Sequence, residues 1–144
     1  MDEKKALEMY LKGFDCSQVV LSSVAEQLGI DKQTAMRVAS AFGGGMGRGD
    51  TCGCVTGALM ALGLKYGFYE DNDEEGQAAI KEKKEEFERR FTEQFGALHC
   101  RDLLGGDVSV PEERAALETE GTIMNRCPGF AAGAVRILED MLED

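Results

Sequence analysis

The chain has 144 residues, enough for one domain with its own hydrophobic core and no disulfide staples. It is 43% hydrophobic and 30% charged, an ordinary composition for a soluble globular protein, and no run of eighteen or more apolar residues offers a membrane span. With 27 Asp and Glu against 16 Lys and Arg the net charge is −11, which argues against a nucleic-acid backbone or an anionic membrane surface as partner. The first five residues lack the apolar stretch of a signal peptide, so the cytoplasm is the expected compartment. Cysteines in that compartment read as catalytic, metal-binding or buried, not as a structural disulfide framework.

A helical period runs nearly throughout. Leu7, Tyr10, Leu11 and Phe14 predict a first helix; Val20, Val24 and Leu28 predict a second, beginning near Cys16 and stopped by Gly29. Asp31 is the predicted N-cap of a third, with Ala35, Val38, Ala39 and Phe42 on one face and Gly43 as its stop. A glycine-rich loop over residues 43–49 leads into a fourth helix over about 51–66, with Val55, Leu59, Leu62 and Tyr66 inward. Asp71, Asn72 and Asp73 open a long fifth helix to about Phe95, whose stripe is Ile80, Phe87, Phe91 and Phe95; the charged run 81–86 is its solvated face.

Cys100 precedes a short turn closed by Gly105 and Gly106, and Pro111 starts a short helix to about Glu118. The last helix is predicted to begin at Cys127 with Pro128 in its first position, where a missing N–H costs nothing. Val108, Ser109 and Val110 are too few for a strand. The expected fold is all-α: a single-domain helical bundle over residues 1–144, of about five to seven helices, with a Gly-rich loop.

Cys16, Cys52, Cys100 and Cys127 fall where helical patterns begin. There, unpaired N–H groups and the helix dipole favour the thiolate, the form that attacks disulfides and binds metals. Arg48, Arg101 and Arg126 lie close in sequence to Cys52, Cys100 and Cys127 and act in the same direction; Asp15, Asp50 and Asp102 oppose them. Gly53, Gly57 and Ala61 form one small-residue stripe and Gly129 and Gly133 another, and their meeting would bring Cys52 to Cys127.

Cys54 points roughly 200° away from Cys52 if both are helical, so the two share a site only if the segment is loop. Gly44, Gly45 and Gly47 in the loop, and Gly53 beyond it, leave amides open to wrap a cofactor or admit a substrate; no Gly-Lys-Ser/Thr ending marks a nucleotide loop. His99, beside Cys100, is a candidate ligand or proton donor.

Phe14-Asp15-Cys16-Ser17-Gln18, Gly43-Gly44-Gly45-Met46-Gly47, Cys52-Gly53 with Gly57-Ala58, Cys100-Arg101-Asp102-Leu103-Leu104-Gly105 and finally Cys127 resemble the C_GCAxxG_C_C family over nearly the whole chain. These are small bacterial and archaeal proteins described as redox-active. The resemblance implies that Cys16, Cys52, Cys100 and Cys127 are the four family cysteines. Cys54 stands where the family carries alanine, as an extra thiol that is inert, resolving or an alternative ligand.

A related domain in a cytochrome implies an iron–sulfur centre. The expected function is a redox protein, an oxidoreductase or electron-transfer protein, whose four cysteines converge on an iron–sulfur cluster. Thiol–disulfide chemistry without metal and a structural zinc site in an interaction module are the alternatives. A redox partner of unknown identity and a homodimer through the glycine stripes complete the expectations.

Overall fold

The computed structural model describes residues 1–143. Their helices are α1 (Glu3–Leu11), α2 (Cys16–Val24), α3 (Lys32–Val38), α4 (Gly53–Tyr66), α5 (Glu74–Phe95), α6 (Cys100–Leu104), α7 (Pro111–Thr119) and α8 (Thr122–Leu142). The described residues contain no strand, only an isolated antiparallel bridge between Thr51 and His99. The fold is all-α as expected. Eight α-helices exceed the expected five to seven because the turn after Cys100 closes as a helix of its own.

Local chemistry sets the helix ends. The carboxylates of Asp2, Asp31 and Asp73 accept from the N–H groups of Lys5, Thr34 and Gly76 at 2.8 Å each, satisfying donors that the first helical turn leaves open. Gly29 and Gly96 end their segments in the left-handed conformation that glycine adopts without steric cost. α3 stops at Val38, well short of Phe42, because Ser40 folds back on the Arg37 carbonyl through its hydroxyl at 2.8 Å. Val38 is consequently exposed rather than inward. In α1 the inward residues are Ala6 and Tyr10; Leu11 is 67% exposed and Phe14 lies past the helix end.

α4 lies at the centre and packs on α2, α5 and α8, while α1 lies across α8. Val55, Ala58, Ala61 and Leu62 of α4 are fully buried with Val19 and Val20 of α2 and Leu138 of α8. Burying a leucine- or valine-sized side chain contributes about 1.5–3 kcal/mol, so this interior carries most of the favourable energy of folding. A ladder of rings ties α5 to α8: Phe87 to Phe91 at 6.0 Å, Phe91 to Phe95 at 4.8 Å, and Phe95 to Phe130 at 5.1 Å between centroids.

The glycine stripes do not meet one another. A Cβ built on Gly57 would stand 2.7 Å from the Ser17 carbonyl oxygen, and one on Gly53 would stand 2.8 Å from the Cys16 Cβ. These glycines therefore seat α2 on α4. On α8, Gly133 takes the edge of the Phe95 ring and Gly129 faces Glu3. The stripe on α4 delivers Cys16, not Cys127, to the neighbourhood of Cys52.

The start of the last helix also differs from expectation. α8 begins at Thr122, after left-handed Gly121, so Cys127 and Pro128 sit inside it. The Asn125 N–H closes the first turn on the Gly121 carbonyl at 3.0 Å. Pro128 forfeits one later backbone bond, a cost offset by its burial in the interior. Cys127 thus has no helix end to lower its pKa.

Candidate functional site

The site is built from three helix beginnings and one helix interior. Cys16 is the first residue of α2, in a turn fixed by Gln18 Oε1 accepting from the Asp15 N–H at 2.9 Å. Cys52 is the N-cap of α4, extended at φ −54° and ψ 137°; its own N–H donates to the Leu98 carbonyl at 2.8 Å. Cys54 is the second helical residue and is wholly buried. Because Cys52 precedes the helix, the helical separation of side chains does not apply to this pair, and both reach Cys16. The Cys16 Cβ lies directly over the glycine between them. Cys127 arrives from α8, and Cys100, the first residue of α6, has its N–H held by the Asp50 carbonyl at 2.6 Å.

All five cysteines are free thiols, and Cys16 is the one that is not fully buried. The thiols of Cys127, Cys52 and Cys54 and the Tyr10 hydroxyl stand where they can donate to its sulfur. Those donors hold Cys16 well below the usual thiol range, outweighing its desolvation. The partners shift the opposite way. Cys127, Cys52 and Cys54 are all raised, chiefly because each keeps its proton to donate to Cys16. Cys100 is pushed up to about 11 by burial, then by the charges of Cys16 and Asp107. The arrangement sets one lowered thiol among neighbours whose own values are raised.

Tyr10 was legible in the sequence only as part of an apolar stripe. Its hydroxyl stands 3.7 Å from Cys54 Sγ, and burial followed by the charges of Cys54 and Cys16 keeps it protonated. The available signal was general: a buried tyrosine hydroxyl requires a polar partner.

A cavity of about 290 Å³ opens on this cluster. Cys16, Cys100 and Cys127 line it, with Gly43, Gly44 and Gly47 on one side and Leu104, Val108 and Met124 on another. Asp15 and Arg114 are its charged groups; burial, then the Cys16 charge, raises the Asp15 carboxyl, while Arg114 opposes the shift. The glycine segment is a compact left-handed turn rather than an open loop. Gly44, Gly45, Met46 and Gly47 have φ between 61° and 70°. Such a turn costs roughly 1–2 kcal/mol for each residue with a Cβ, hence the glycines. Gly44 and Gly47 face the cavity, Gly45 is buried against the Asp50 backbone, and Gly53 lies beneath Cys16.

Two of the three predicted arginines are engaged elsewhere. Arg101 pairs with Asp50 at 3.3 Å, and Arg126 donates to the Leu103 carbonyl at 3.1 Å. Arg48 is exposed on the glycine turn. The thiols are shifted chiefly by one another and by burial, not by these cations. His99 is half-exposed and 3.9 Å from the Asp102 carboxylate.

Thiolates suit soft metals and iron–sulfur clusters. Among the described residues, however, no three His, Cys, Asp or Glu side chains are arranged to hold a metal ion. The sulfurs lie against one another. No helix among the described residues is long and apolar enough to cross a membrane.

Fold and site together define an all-helical protein built around a cluster of free thiols at the floor of a cavity. The chain belongs to the family described as "Putative redox-active protein (C_GCAxxG_C_C)", whose model matches residues 14–141. No curated protein and no solved structure matches it.

Proposed function

We propose that the protein is a thiol–disulfide redox protein in which Cys16 attacks and Cys127 resolves. The observation that carries this reading is the single accessible cysteine whose sulfur collects the donors of its neighbours. The thiolate is the nucleophile in exchange. The Cys16 thiolate attacks one sulfur of a substrate disulfide, forming a mixed disulfide and releasing the other half as a thiolate, which takes up a proton.

The second step follows from the first. Cys127 is held protonated by its hydrogen bond to Cys16, by burial and by the Cys16 charge. Once Cys16 is bonded to substrate that charge is gone, and the Cys127 proton is released more easily. The Cys127 thiolate then attacks the Cys16 sulfur, expels the second substrate thiolate and leaves a disulfide between Cys16 and Cys127. Two electrons have passed to the substrate. A dithiol reductant reverses the last bond to renew the protein. Cys127 is preferred as resolving thiol because it lines the cavity beside Cys16, whereas Cys52 and Cys54 do not.

Oxidised glutathione added to the anaerobically reduced protein, followed by peptide mapping, tests this. The expected first product links Cys16 to Cys127, and Cys16→Ser abolishes it. Protein purified anaerobically with stoichiometric iron and acid-labile sulfide on its cysteines would instead establish the cluster reading and refute this one. Bound zinc would do the same for a structural metal site.

A further inference from the structure

Cys54 has no part in the two-step exchange above, yet it sits in the middle of the cluster. It is wholly buried, it lies against Cys16 and Cys52, and the Tyr10 hydroxyl stands 3.7 Å from its sulfur. Cys52 is 5% exposed and lies against Cys16 and Cys54. Two residues of chain span at most about 7 Å, so the Cα atoms of Cys52 and Cys54 are held near disulfide distance by the backbone itself. Cys16 lies over the glycine between them and also contacts Cys127.

We propose that Cys52 and Cys54 form a second dithiol, beneath Cys16, that takes over the oxidised state from the disulfide between Cys16 and Cys127. The inference rests on the exchange reading above and adds a destination for its oxidising equivalents. In the first step Cys52 gives up its proton, which passes to the departing Cys127, and attacks the Cys16 sulfur of that disulfide. A bond forms between Cys52 and Cys16, and Cys127 leaves as a thiolate that recovers its proton. In the second, Cys54 gives up its proton to solvent and attacks the Cys52 sulfur, and Cys16 leaves as a thiolate to which the Cys127 thiol and the Tyr10 hydroxyl can still donate. The Cys52–Cys54 dithiol has been oxidised by two electrons and the outer pair reduced by two.

Cys16 is then free to attack a second substrate disulfide, so the protein holds four electrons rather than two. The inner disulfide is out of reach of external thiols except through Cys16. Cys100 takes no part: it lines the cavity but is not among the donors to Cys16.

The experiment titrates reduced full-length protein with oxidised glutathione under anaerobic conditions and maps disulfides after alkylation and trypsin. Residues 49–65 form one tryptic peptide carrying Cys52 and Cys54 alone, so their disulfide appears as that peptide lighter by two hydrogens. Wild type is expected to consume two equivalents, with this peptide oxidised after the first. Cys54→Ala and Cys54→Ser are each expected to consume one, with the product stopped at Cys16 and Cys127. A wild-type chain that links Cys16 to Cys127 while peptide 49–65 keeps both thiols overturns the relay alone. A chain in which Cys16 never joins Cys127 overturns the relay together with the function proposed above.

Discussion

Gly57→Ala probes the contact that assembles the site. The added methyl would stand 2.7 Å from the Ser17 carbonyl oxygen and 3.1 Å from the Ser17 Cα, both backbone atoms. Favourable separations are about 3.5–4.0 Å, so α2 must retreat from α4 by roughly 0.8 Å. A gap of that size forfeits a quarter to a half of each dispersion contact it opens. Because neither backbone yields easily, the penalty falls in the upper part of the overpacking range, about 2–3 kcal/mol. Alanine recovers about 1 kcal/mol of helix propensity over glycine, leaving a net loss of about 1–2 kcal/mol.

Gly63 supplies the control. It lies in the same helix, but a Cβ there meets nothing within 4 Å, so Gly63→Ala should gain about 0.5–1 kcal/mol. Urea unfolding of both variants in reductant reads these values as opposite shifts of the midpoint at unchanged slope. The two variants should also differ in the rate at which Cys16 joins Cys127, slowed only in Gly57→Ala. Equal stability of the two variants, or a stabilised Gly57→Ala, would refute the argument that α2 and α4 close only because glycine is there.

Cys16 is expected to react with iodoacetamide at neutral pH, while Cys100 stays slow until the pH approaches about 11, as pH-resolved alkylation and peptide mapping will read. The same Cys100 shift gives a stability trend. Between the ordinary thiol pKa of about 8.5 and 11 the unfolded chain releases this proton first, so the native state binds more protons and stability falls as pH rises. Cys100→Ala should flatten that fall. Tyr10→Phe removes one donor to Cys16, so the pH midpoint of Cys16 alkylation should move upward with little change in helicity by circular dichroism; an unmoved midpoint removes the hydroxyl from the site. Phe91→Ala, at the centre of the ring ladder and fully buried, should cost about 3–5 kcal/mol in urea unfolding.

Much of the fold was legible along the chain. Asp31 announces α3 because a carboxylate before a helical pattern satisfies the first free N–H groups, and Thr34 binds it as expected. The aromatic stripe of α5 was readable because Phe87 and Phe91 recur at helical spacing. The glycine segment was legible as special, but its left-handed coil was not, since glycine permits many conformations and specifies none. The start of α8 was misplaced because proline favours a first helical turn on average, and here burial of the surrounding face outweighs the one bond it loses.

Composition and hydrophobic periodicity specify an acidic, all-helical chain and the thiols it has to use. Spacing along a helix is a local property, and local chemistry reads it well. Which thiols touch is not local. The expected meeting of the α4 and α8 glycine stripes gave way to α2 on α4, because Gly57 fits the Ser17 backbone and Gly133 is taken by Phe95. That choice set Cys16 over Gly53 and drew in Cys54, which helical geometry alone had turned away. Only tertiary packing could make one of five similar thiols the acceptor of its neighbours' protons, since the shift arises from side chains as distant in sequence as Cys16 and Cys127.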